Sequence, residues 1–349
     1  SWGSPVGEPR TVVAVPEPDG THRLAAESGL AVRLCELGAA LDRVEVPGPD
    51  GPTNVVLTFD DPATRLDHHR NPHLGATVGR YANRIAGAGI TIDGVTHQLD
   101  ANEGPNQLHG GTLGFSRVPW TAEPGVGSVT FRRTSPDGEM GFPGTLDVTV
   151  TYTLGDDRIV IDHVATTDAP TVVSLTNHAY WNLGGPAEAD VGDHLVTVDA
   201  ATVVPVDDAS LPAGPPAPVA DTPFDLRAGA RLSDRIGFAL PNGYDHCFMI
   251  EGGDATGRGL RRHARVDHPP SGRSLEVWSD HPAAQLYTGA FLPGTPGGDG
   301  RDHDPFAALC VEPQHVPDAP HLDWAPSPLL RPGETYRHRI ELRLGFVGA

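Results

Sequence analysis

The most regular alternation of apolar and polar positions runs from Thr145 to Leu154. Leu146, Val148, Val150, Tyr152 and Leu154 interleave there with Thr145, Asp147, Thr149, Thr151 and Thr153. A period of two puts one set on a single face of an extended chain, so the segment predicts a strand with one buried face. The C-terminal stretch repeats the pattern. Tyr336, His338, Ile340, Leu342 and Leu344 share one face and Arg337, Arg339, Glu341 and Arg343 the other, which predicts a half-exposed antiparallel strand. Further strands are predicted over 41–46, 55–59, 128–133, 158–164, 195–198, 275–279 and 307–312. Asp93-Gly94 separates Ile90-Thr91-Ile92 from Val95-Thr96-His97, and such a pair suits a two-residue hairpin turn because glycine accepts positive φ.

Turn residues change this picture by shortening every element. With 42 glycines and 35 prolines in 349 residues, the chain is punctuated too often for long helices. The expected fold is all-β, a sandwich or barrel of many short antiparallel strands with few short helices. Residues 211–223 (LPAGPPAPVADTP) have the composition of a linker. Strand-like sequence continues unchanged on both sides, so they are read as a surface loop within a single domain spanning 1–349, with 1–8 as a disordered or tag-derived tail.

Charge narrows the partners. Asp and Glu number 45 against 25 Lys and Arg, a formal charge of −20, which repels phosphate backbones and anionic headgroups. Nucleic acid and membranes are therefore poor partners, and a neutral, hydroxyl-rich small molecule suits the field best. No apolar run approaches the roughly 18 residues of a membrane span. Cys35, Cys247 and Cys310 are odd in number and widely spaced, so they are expected as free thiols rather than as a disulfide or zinc framework. Cytoplasmic placement is expected, with secretion after removal of a signal peptide as the alternative.

Four stretches carry polar groups that a merely structural strand does not need: GRYANRI at 79–85, GPNQLHGG at 104–111, SLTNHAYWNLG at 174–184 and VEPQHVPDAP at 311–320. Gly243-Tyr244-Asp245-His246 and Gln285-Leu286-Tyr287-Thr288-Gly289 join them. Together they contain two proton-transfer groups, several hydroxyl-pairing side chains and aromatic rings for the apolar face of a pyranose. In this order, and with NPHLGATVGR at 71–80, GEMGFPGTLDVTVTYTL at 138–154 and TPFDLR at 222–227, they resemble the aldose 1-epimerase (galactose mutarotase) family over nearly the whole chain.

That resemblance implies a large antiparallel β-sandwich, the galactose mutarotase-like supersandwich, with an open sugar cleft. It also implies cofactor-free, metal-free acid–base catalysis on a monosaccharide by a monomer or homodimer. By the same resemblance Glu312 takes the place of the general base and His178 that of the general acid. Asn83, Arg84, His109, Tyr180, Asp245 and Gln285 take the places that hold sugar hydroxyls and the ring oxygen. The chemistry needs such a pair, because opening a hemiacetal removes the C1 hydroxyl proton while the ring oxygen gains one. A histidine with a reference pKa of about 6.5 suits the donor, and a carboxylate of about 4.3 is mostly ionised near neutrality. Trp181 is the expected stacking platform, with Tyr180, Tyr244 or Tyr287 as alternatives. Pro313, Cys247 and His321 depart from the common family pattern and bear on loop geometry and sugar preference.

Two other functions compete. One is a non-catalytic sugar sensor on the same scaffold, which the presence of both Glu312 and His178 argues against. The other is a different enzyme on a similar sandwich, such as a phosphosugar mutarotase, which needs basic residues near the cleft, or a carbohydrate lyase or hydrolase. The 17 histidines raise a metal reading, but Asp67-His68-His69 and Asp302-His303-Asp304 lack the separated ligand spacing of a zinc or iron site. Both are read as solvated loops.

Overall fold

The computed structural model describes residues 14–237, 239–250, 259–297 and 302–346; the tail assigned to 1–8 lies outside these. Nine antiparallel strands form the largest sheet, in the order Thr121–Gly125, Ser128–Ser135, Leu146–Leu154, Arg158–Thr167, Tyr336–Phe346, Arg273–Ser279, Arg261–His268, Leu195–Val198 and Ala230–Arg231. A five-stranded sheet orders Ala217–Pro218, Thr202–Val203, Asp245–Met249, Ala283–Tyr287 and Cys310–Gln314. A second five-stranded sheet comes from the N-terminal region, Val15–Pro16 through Thr53–Asn54. The helical segments among the described residues are six short 3-10 turns, and none is long and apolar enough to cross a membrane.

Alternation decides which face is buried. In register across the large sheet, Val129, Tyr152, Ile161 and Ile340 form one lateral row, and all four are buried. They share one core with Leu34, Leu41 and Val44 of the N-terminal sheet and with Phe248, Leu286 and Val311 of the other five-stranded sheet. Each such side chain, fully withdrawn from water, contributes about 1.5–3 kcal/mol, so the three sheets are held together by their apolar faces. Opposite Val311, the residues Cys310, Glu312 and Gln314 of the same strand face the other way, where the functional residues collect.

Most predicted strands are present, several of them longer than the pattern indicates. Two differ. The run 55–59 is not a strand: the Asn54 side chain accepts the Val44 N–H at 3.1 Å, ending the ladder, and Val56 forms only an isolated bridge to Trp181. The predicted strand at 307–312 lies instead at Cys310–Gln314, because Leu309 pairs its backbone with Trp181. The Asp93-Gly94 turn joins Gly89–Ile92 to Val95–Gln98, with φ of 50° and 80°, the positive pair such a hairpin requires. The proline-rich 211–223 segment is tied to the sheet edge, where Ala217–Pro218 pairs with Thr202–Val203 and the Pro223 carbonyl accepts from Tyr244 Oη at 2.7 Å. All three cysteines are free and buried.

Candidate active site

Glu312 enters the site from the edge strand Cys310–Gln314 and stands opposite Gln285 in the neighbouring strand, which in turn stands opposite Cys247. The edge position accommodates Pro313, which has no N–H to give a ladder. Asp245 lies one row away and accepts from Gln285 Nε2 at 2.7 Å. His178 follows the two-residue strand Thr176–Asn177, paired with Thr77–Val78, and its backbone is clamped by Ala76 and Gly75 at 2.9 and 2.8 Å. Arg84 lies in, and His109 directly follows, a short antiparallel ladder in which Arg84–Ile85 pairs with Gln107–Leu108.

Loop stitching brings these distant segments together. Tyr81 Oη donates to the Val316 carbonyl at 2.7 Å, and the Asp318 N–H donates to the Arg84 carbonyl at 2.8 Å. Asp318 Oδ1 also accepts from the Ala86 N–H and from His321 Nδ1. Gly110 (φ 83°) packs so closely that a Cβ there meets the Gly79 carbonyl oxygen at 2.0 Å. Gly110→Ala is therefore expected to lower the thermal transition by several degrees or abolish soluble expression, since both a positive φ and a backbone clash are involved; a melting curve coincident with wild type contradicts this.

All eight residues singled out above line one cavity of about 690 Å³, together with Pro72, His73, Glu103, Asp208, Ser210, Tyr287 and Phe291. His178 Nε2 lies 3.6 Å from Glu312 Oε2, longer than a hydrogen bond. Both side chains are almost wholly buried, and Glu312 Oε2 and His178 Nδ1 have no hydrogen-bond partner among the described residues. His109 Nδ1 accepts the Asn83 N–H at 3.1 Å. A neutral His109 therefore carries its proton on Nε2, as a hydroxyl donor. His73, Asn83 and His109 all adopt positive φ, at 70°, 66° and 52°, a strained conformation that concentrates at functional sites.

Two expectations are corrected in detail. Trp181 is no platform: it is 1% exposed and belongs to the apolar core. Successive residues of an extended segment face opposite sides, and Tyr180 takes the cavity side. Tyr180 itself donates its hydroxyl to the Pro72 carbonyl at 3.0 Å and stacks its ring on His178, with centroids 4.8 Å apart and planes at 13°. These contacts fix the ring against the imidazole, while the phenol oxygen keeps a lone pair to accept a further hydrogen bond. Finally, burial moves both proton-transfer groups from their reference values. It lowers His178 to about 3. It raises Glu312 well above the usual carboxylate range, aided by the charge of Asp245. Desolvation favours the neutral form of each group.

Arg84 is present as expected, but Glu103 already holds part of it, with Nε and Nη2 donating at 2.7 and 2.8 Å; the remaining guanidinium donors stay available. His73 was not singled out as a site residue, although it lies within the 71–80 stretch. Its ring lies against His109 and His178, with centroids at 4.7 and 5.8 Å, and its Nδ1 is 2.7 Å from Ser116 Oγ. Glu103 and Asp208 carried no signal beyond being acidic loop residues. The two Asp/His fragments considered for metal are largely at the surface: His68, His69, Asp302 and Asp304 are exposed.

An all-β sandwich with a cavity containing a buried carboxyl–imidazole pair and a ring of hydroxyl-pairing side chains defines a carbohydrate-handling protein. The family model for aldose 1-epimerase matches residues 20–343, and the chain belongs to that family. It is 42% identical over 311 residues to the galactose mutarotase of Bos taurus, covering 88% of this chain and 89% of that one. It is 37% identical over 337 residues to the aldose 1-epimerase of Escherichia coli K12, covering 93% and 96%. Among solved structures, an aldose epimerase homologue from C. elegans superposes with a TM-score of 0.85 at 32% identity, covering 94% of this chain and 99% of that one. A galactose 1-epimerase from Lactobacillus acidophilus gives 0.79 at 26%, covering 97% and 98%.

Proposed function

We propose that the protein is an aldose 1-epimerase interconverting the α and β anomers of free hexoses such as galactose and glucose, with Glu312 as base and His178 as acid. The observation that carries this is the 3.6 Å approach of His178 Nε2 to Glu312 Oε2, two buried groups that both line one polar cavity. Glu312 takes the C1 hydroxyl proton as the C1–O5 bond opens, and His178 gives a proton to O5. Rotation about C1–C2 presents the other aldehyde face, and reclosure reverses both transfers. Asn83, Arg84, His109, Asp245 and Gln285 hold the hydroxyls.

Burial serves this chemistry in one way and costs it in another. A carboxylate with a raised pKa is a stronger base, and an imidazolium with a depressed pKa is a stronger acid. The same desolvation makes the ionic arrangement the minor one in the empty cleft. Moving one proton from Glu312 to His178 produces it without exchange with solvent, so the pair titrates as a unit. With His178 depressed to about 3 by burial, its imidazole does not titrate near 6.5, and Glu312 titrates above the ordinary carboxylate range. The initial rate constant is therefore expected to show no histidine inflection near pH 6.5, where an unperturbed imidazole titrates. An inflection centred near 6.5 overturns this.

The cavity favours a neutral sugar. Among the described lining residues, Arg84 is paired with Glu103, and Asp208, Asp245 and Glu312 add further carboxyls, a poor setting for a phosphate. The domain reading is one unit: a single family model spans 20–343, and the C-terminal strand pairs with Arg158–Thr167 and Arg273–Ser279. The direct test is the optical rotation of freshly dissolved α-galactose and α-glucose. Acceleration over buffer is expected; its absence ends the proposal.

A further inference from the structure

Beneath the acid–base pair lies a third potential ligand. Cys310 shares a strand face with Glu312, two residues on, and the ligand atoms of His178, Cys310 and Glu312 all lie within 4.8 Å of one another. All three side chains are buried, and Glu312 Oε2 and His178 Nδ1 are without hydrogen-bond partners among the described residues. One sulfur, one imidazole nitrogen and one carboxylate oxygen, converging from one side and open to a cavity on the other, are the donor set of a three-ligand, open-position zinc site. The sulfur selects against magnesium and calcium, which take oxygen ligands, and for borderline or soft cations.

We propose that the floor of the cavity is an inhibitory binding site for a borderline-soft divalent cation, zinc above all, held by His178, Cys310 and Glu312. Coordination displaces two protons to solvent, that of the Cys310 thiol and the one carried by the Glu312–His178 pair, and the thiolate and the Glu312 carboxylate together offset the charge of the ion. The fourth position faces the space the sugar C1 would occupy. A bound ion therefore takes both proton-transfer groups out of use and competes with substrate. Cys310 touches no sugar in this scheme, so its removal separates metal sensitivity from catalysis.

The inhibitory consequence rests on the epimerase reading; metal binding does not, and the experiment keeps them apart. Protein stripped with a chelator under a non-thiol reductant is titrated with Zn²⁺ during mutarotation of α-galactose, in wild type, Cys310→Ala and the near-isosteric Cys310→Ser, with circular dichroism as the folding control. Half-inhibition of the variants is expected to need at least tenfold more Zn²⁺ than wild type, and raised galactose to relieve inhibition of wild type. In parallel, Co²⁺ added to wild type is expected to give a thiolate-to-metal charge-transfer absorption that is absent in both variants and displaced by galactose. Equal Zn²⁺ sensitivity of wild type and a folded variant, or a Co²⁺ spectrum with no dependence on Cys310, overturns the site. If metal-free wild type shows no mutarotation, the epimerase reading fails while the Co²⁺ spectra still decide the metal site.

Discussion

Glu312→Gln is expected to slow the catalysed mutarotation of α-galactose by about 10²- to 10⁴-fold, the range that a positioned general base contributes. The amide keeps the size of the side chain and its place opposite Gln285, so sugar binding through Arg84, His109 and Asp245 persists and KM stays near its wild-type value. A loss confined to kcat marks an interaction made in the transition state. Because Glu312 and His178 share one proton inventory, the double variant Glu312→Gln/His178→Asn is expected to be little slower than either single one. Polarimetric progress curves at several sugar concentrations measure all of this. A Glu312→Gln enzyme within threefold of wild type removes Glu312 from the role of base.

The second large effect is on stability in acid. In the large sheet His163 and His338 are register partners on neighbouring strands, His338 stacks on His281 with centroids 3.9 Å apart, and His315 lies edge-on to His281 and His338. Asp280 supports His338 at 3.0 Å. Burial depresses His163, His263 and His315 to about 3, and lowers His281 well below the ordinary value. A group whose pKa is lower folded than unfolded binds fewer protons in the native state, so stability falls as pH drops below about 6.5 and continues to fall toward 3. Each full shift amounts to roughly 5 kcal/mol, against a typical total of about 5–15 kcal/mol. Glu312, whose folded pKa is raised, opposes this, but it is one group against several.

Cooperative loss of near-ultraviolet circular dichroism is therefore expected well above pH 3. His163→Leu, which removes a ring with neither nitrogen partnered, is expected to move the acid midpoint downward. A protein that stays native at pH 3.5 contradicts the reading. Acid loss of activity then reflects unfolding, which separates it from the titration of Glu312 and His178.

The sheets were legible where a strand has one wet face. Leu146–Leu154 and Tyr336–Phe346 alternate because one side meets the core and the other water or a charged neighbour. Strands buried on both faces carry no such pattern: Ala283–Tyr287, which bears Gln285, escaped the periodicity because every residue but the last is buried. Proximity was legible through motifs: each of the eight residues lines the same cavity. The finer roles were not. Whether Trp181 or Tyr180 faces the sugar depends on a phase of one residue along an extended segment. Glu103 became part of the site only because a short ladder holds Arg84 against it.

The sequence by itself therefore determined an acidic, turn-rich, all-β chain, its family, and the residue types available for proton transfer, since local periodicity and chemical identity are properties of the chain alone. Only the tertiary structure decided their state. It placed Glu312 and His178 3.6 Å apart out of water, which shifts both from their ordinary titration, set Cys310 beside that pair, and packed His281, His315 and His338 against one another. Desolvation and proximity depend on which segments fold over which, and no residue carries that information on its own.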